Sequence, residues 1–104
     1  MITVFDEMTA PDTTGTSLKG YVCATYVQLV SILGEPTFPE ESGDGKVQVE
    51  WVVEFEDEFG DTGLFTIYDW KTHSREFTVM QLAMFNVGSK AYAGHFINYL
   101  ESQI

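Results

Sequence analysis

Residues 50–61 read EWVVEFEDEFGD, and half of those twelve positions are carboxylates. Trp51, Val52, Val53, Phe55 and Phe59 stand among them. Taken from Val47, the stretch alternates: Val47, Val49, Trp51, Val53 and Phe55 fall on one side of an extended chain. Gln48, Glu50, Val52, Glu54 and Glu56 fall on the other. A period of two predicts a strand whose apolar face meets a core and whose carboxylates line an exposed face. Asp57 to Gly63 then reads as a turn, and GLFTIYDW (63–70) as the returning strand of a hairpin.

Working outward, ITVF (2–5) predicts a short strand, and the small, polar MTAPDTTGTSL (8–18) a mobile loop. GYVCAT (20–25) predicts another strand. Thr25 and Gln28 have the spacing of a capping box, and Tyr26, Leu29, Val30 and Leu33 recur at helical spacing. Gly34 supplies a stop, and Pro36 prevents continuation. EPTFPEESGDGK (35–46) predicts a charged loop. KTHSR (71–75) is the basic cluster, placed in a turn, and EFTVMQLAMFNV (76–87) predicts a central strand apolar on both faces. Ser89 is placed as the cap of a final helix with Ala93, Phe96, Ile97, Leu100 and Ile104 toward the core. The order β-β-α-β-β-β-α predicts one α+β domain over residues 1–104, an antiparallel sheet of about four to five strands with two helices packed on one face. The other sheet face is then a surface for a partner or a homodimer.

The 104 residues suit a single core, and eight Phe, five Tyr and two Trp supply it. Sixteen Asp and Glu against five Lys and Arg give a formal charge of −11. Nucleic-acid binding draws its affinity from cations that neutralise phosphates, so direct binding to DNA or RNA is not expected, nor is an anionic membrane. A partner with a basic groove is favoured. A single cysteine, Cys23, precludes an internal disulfide. No long apolar run follows the acidic start MITVFDEMTAPDTT, and the expected location is the cytoplasm.

The sequence offers little for catalysis. Cys23 lies beside Val22 and reads as a small core residue. His73 falls in the basic turn near Asp69, and His95 inside the last helix, with no nucleophile–base–orienter set around either. DEFGDTG (57–63) fails as a calcium loop, since Phe59, Thr62 and Tyr68 stand where ligand, glycine and glutamate are needed. No glycine-rich phosphate loop is present. The reading is a non-enzyme with no cofactor and no metal.

Between Glu35 and Asp61 stand ten carboxylates and one lysine. Glu50, Glu54, Glu56, Asp57, Glu58 and Asp61 are the candidate partner-binding residues, with Glu40, Glu41 and Asp44 as an outer group and Phe59 as apolar anchor. Alternate strand positions advance roughly 6.6 Å, and phosphates on one DNA strand roughly 3.4 Å each, so the row could echo alternate phosphates. The competing role is protection of a sheet edge against pairing.

FDEMTAPDTTGTSLKGYV (5–22), ATYVQLVSILGEPT (24–37), VEWVVEFED (49–57) and FTIYDWK (65–71) together resemble a family of small acidic proteins encoded by tailed bacteriophages. The resemblance covers most of residues 3–72 and brings no catalytic residues. It implies a protein of the infected cell's cytoplasm that binds and blocks a host nucleic-acid-handling or defence protein. The alternative is a small self-associating structural or assembly protein of the phage.

Overall fold

The hairpin forms as expected, and the sheet is built around it. The computed structural model describes residues 2–13, 15–38, 47–70, 75–80, 82, 84–90 and 92–104. Its elements are β1 (Ile2–Val4), β2 (Ser17–Val22), α1 (Tyr26–Leu33), β3 (Glu50–Glu56), β4 (Thr62–Tyr68), α2 (Arg75–Met80), β5 (Phe85–Ser89) and α3 (Gly94–Gln103). The strands form one antiparallel sheet in the order β1-β3-β4-β5-β2. The fold is α+β.

Strands β3 and β4 pair over their whole length, from Glu50 opposite Tyr68 to Glu56 opposite Thr62. Across the other side of β3, Ile2 faces Phe55 and Val4 faces Val53. That line continues past β1: the Phe5 N–H donates to the Val52 carbonyl at 3.0 Å, and Phe38 bridges Glu50 through two bonds of 2.9 Å. Between them, the Thr37 hydroxyl accepts from Val52 N–H at 2.9 Å and donates to the Phe5 carbonyl at 2.5 Å. β3 is therefore an interior strand, and the edge-protection role proposed for its glutamates loses its premise. The free edges lie elsewhere and are blunted otherwise. β1 has only three residues, and β2 carries Lys19 at an irregularity between Leu18 and Gly20. Short length, a lysine and a bulge each discourage edge-to-edge pairing.

One sheet face carries the core. Trp51, Val53 and Phe55 of β3 join Phe65 and Ile67 of β4, Phe85 and Val87 of β5 and Val22 of β2. Tyr26, Leu29 and Leu33 of α1, Phe96 and Leu100 of α3 and Ala93 just before α3 close over them, with Val79 of α2 at the margin. The capping box is present: Gln28 N–H donates to Thr25 Oγ1 at 3.2 Å, and Thr25 N–H to Gln28 Oε1 at 2.9 Å. Gly34 ends α1 at φ 83°, a conformation that glycine adopts without strain.

Several expectations are corrected. Residues 75–80 form α2, so only Phe85 onward belongs to the strand foreseen over 76–87. The middle strand is β4, whose Phe65, Thr66 and Ile67 are buried in succession on alternating faces. Ser89 lies in β5 and donates to the Leu64 carbonyl at 3.2 Å; α3 starts after Ala93 with no side-chain cap. Ile104 is exposed, and so is Cys23, because the alternation that buries Val22 turns its neighbour outward. Gln48 and Val52, read as outward-facing, are both buried.

Asp69, 1% exposed, ties the hairpin to α2. Its Oδ1 accepts from the N–H groups of Gln48 at 2.7 Å and Val49 at 3.0 Å, and its Oδ2 from the Thr78 hydroxyl at 2.6 Å. The carboxylate thus holds the entry to β3 and the packing of α2 together.

Candidate functional site

The structure divides the acidic row. Glu54 and Glu56 are exposed on β3, and Glu58 and Asp61 are exposed in the turn that follows. Glu50 is parted from them by the buried Val52 and is itself half-buried. Glu40, Glu41, Asp44 and His73 lie outside the described residues. Of the candidate carboxylates among the described residues, the exposed ones thus gather at the β3–β4 end of the sheet.

Asp57 shapes that end. Its Oδ1 accepts from Phe59 N–H at 2.9 Å and Asp61 N–H at 3.0 Å, while its own N–H donates to the Asp61 carbonyl at 2.9 Å. An aspartate that bonds backbone two and four residues on fixes a tight turn. This turn holds Phe59 out in solvent, 72% exposed.

Helix α3 forms the facing wall, and sequence reasoning missed it. A cleft of about 510 Å³ is lined by Phe55, Glu56, Asp57, Glu58, His95, Asn98 and Tyr99. A smaller one of about 200 Å³ adjoins it between Asp57, Asp61, Thr62, Tyr92 and His95. His95, exposed on α3, meets Phe59 edge-to-face at 6.3 Å and Tyr92 at 5.6 Å. Tyr99 packs on Phe55 at 5.2 Å and anchors the inner wall in the core. The Tyr92 ring lies over Gly94, in the space a Cβ there would occupy. The sequence held a faint signal for this wall: His95 and Tyr99 are four residues apart and share a helix face with each other.

Carboxylates around a cleft with aromatic walls suit a cationic side chain. The charges attract it, and the ring faces stack on it. Among the described residues no group of three or more His, Cys, Asp or Glu is arranged to hold a metal ion. No helix of the described residues is long and apolar enough to cross a membrane.

Glu50 differs from Glu54 and Glu56 in its surroundings, being half-buried where they are exposed. Burial pushes its carboxyl above the usual glutamate range. Over the pH window between the ordinary value and that raised one, the folded chain binds more protons than the unfolded chain. Stability therefore falls as pH rises through it, and at neutral pH the charged Glu50 costs stability. Glu50→Gln is expected to raise Tm at pH 7, with the advantage shrinking to nothing below the ordinary glutamate pKa. A Tm difference independent of pH would show that something other than the charge is responsible.

No protein-family model, curated protein or solved structure matches the chain.

Proposed function

We propose that the protein is a non-enzymatic inhibitor, encoded by a tailed phage, that binds a basic nucleic-acid-handling host or defence protein and occupies its groove. One observation carries this reading: Glu56, Glu58 and Asp61 are exposed around two adjoining clefts with aromatic walls, with Glu54 exposed two positions before Glu56 on β3 and Phe59 presented at the turn. The carboxylates steer the encounter with a basic surface and fix its register, and Phe59 supplies the apolar contact that slows dissociation. The turn built by Asp57 holds these groups in place before binding, which limits the entropy lost on association.

The same charge forbids the protein from competing as a nucleic-acid binder in its own right. With a formal charge of −11 it is expected to leave random duplex DNA unshifted in a gel at physiological salt. A shift at micromolar protein would remove the electrostatic basis of the proposal. The positive test is capture from bacterial lysate on the immobilised chain, in parallel with the triple variant Glu54→Gln/Glu56→Gln/Glu58→Gln. A nucleic-acid-binding protein retained by the wild type should elute at lower salt from the variant. Equal elution from both would place the contact elsewhere.

A further inference from the structure

The sheet's second face carries Glu54 and Glu56 toward the hairpin turn and a different grouping at its Glu50 end. Residues directly opposite in antiparallel strands share a face, with Cβ atoms about 5 Å apart. Glu50 is opposite Tyr68, Tyr68 opposite Asn86, and Asn86 opposite Tyr21, so one row crosses β3, β4, β5 and β2. Beneath the adjacent part of this face lie Val52 and Thr66, at 0% and 2% exposure, and Gly88. A Cβ on Gly88 would come within 3.4 Å of Tyr68 Cε1, so the Tyr68 ring leans over that glycine. Trp70 stands edge-on to Tyr68 at 6.4 Å and 80°. Trp70 and Tyr21 are 47% and 52% exposed.

Within this aromatic row Glu50 is held half out of water. Burial alone pushes its carboxyl upward, and no cation or hydrogen-bond donor among the described residues offsets that cost. The Tyr68 hydroxyl, raised mainly by burial, shares a hydrogen bond with the Asn86 side chain and feels the charge of Glu50. A half-buried carboxylate beside half-exposed aromatic rings favours a cationic occupant.

We propose that Glu50, Tyr68 and Trp70 form a receptor for an arginine side chain of a partner protein, at the Glu50 end of the sheet's second face, with the buried Val52 between it and Glu54. The guanidinium is planar and matches a carboxylate through two parallel hydrogen bonds. It stacks on an aromatic face and loses less hydration than an ammonium on entering a half-buried position. Charge complementarity fixes the occupant's sign, and the rings select guanidinium over ammonium. Asn86 steadies Tyr68 through its hydrogen bond.

The test is an NMR titration of the full chain with N-acetyl-arginine amide, followed at the Trp70 indole N–H and the backbone amides of Glu50 and Tyr68. These signals are expected to move saturably, with N-acetyl-lysine amide binding several-fold more weakly. Glu50→Gln should keep the fold and weaken binding about tenfold, as loss of a charge-assisted pair does. Trp70→Ala should weaken it a few-fold through loss of the ring. The hairpin variant Glu54→Gln/Glu56→Gln/Glu58→Gln should bind the probe as the wild type does, so the outcome is independent of the hairpin's own role. Signals that do not saturate, equal binding by Glu50→Gln, equal binding of the lysine probe, or movement confined to the hairpin would each overturn the assignment.

Discussion

Trp51→Ala is expected to destabilise the protein by about 3–5 kcal/mol, a large share of the stability of a domain this size. Trp51 is fully buried in the apolar row of β3. Its ring meets Tyr26 at 5.7 Å and Phe85 edge-to-face at 5.9 Å, within the range of favourable aromatic pairs. Its Nε1–H donates to the Gly34 carbonyl at 3.0 Å and so holds the end of α1 against the sheet. One side chain therefore joins β3, β5 and both ends of α1. Trp51→Phe divides the two contributions: it retains most of the ring contact and removes the hydrogen bond, at a cost of about 1–2 kcal/mol. Urea unfolding of both variants measures this. A Trp51→Ala variant that unfolds near the wild-type midpoint would mean that β3 is displaced by one residue, with the glutamates facing inward.

Asp69→Ala is expected to be as severe, about 3–5 kcal/mol, for a different reason. The carboxylate accepts two buried backbone N–H groups, those of Gln48 and Val49, and the Thr78 hydroxyl. Alanine strands those donors away from water, and each costs about 1–3 kcal/mol. Asp69→Asn distinguishes this from a simple loss of volume. Its carbonyl oxygen still accepts from both N–H groups, and the Thr78 hydroxyl can turn to accept from the new amide, so the cost should fall to about 1–2 kcal/mol. Equal losses in the two variants would show that negative charge, rather than hydrogen-bond acceptance, holds this junction.

How far the sequence revealed the fold depends on how local each determinant is. The hairpin was legible because alternation over Val49–Phe55 is a property of the strand itself, and α1 because Thr25, Gln28 and Gly34 act within a few residues of each other. The 76–87 run was not, since an apolar stretch without clear period suits a buried strand and a helix equally. Thr78 meets Asp69 only once the chain has folded back, and that contact marks the segment as α2. The acidic row shows the same limit. Glu54 and Glu56 are exposed as alternation predicts, but Phe38 pairs beside Glu50 and Thr37 bonds to Val52 across fifteen residues of sequence. The grouping of Phe59, Tyr92 and His95 also joins residues far apart in the chain, so no local pattern announces it.

The central claim is that the acidic hairpin end takes the place of nucleic acid on a basic protein. Displacement measures this directly. The nucleic-acid-binding protein retained from lysate is loaded with fluorescent duplex or single-stranded probe, and the chain is titrated in while anisotropy is followed. Wild type is expected to release the probe as it binds. Glu54→Gln/Glu56→Gln/Glu58→Gln should need at least about tenfold more protein for the same release, chiefly through slower association and with a shallower dependence on salt. Probe that stays bound while the wild-type chain saturates its partner would contradict occupation of the groove, and release by the triple variant at wild-type concentrations would contradict the role of the hairpin.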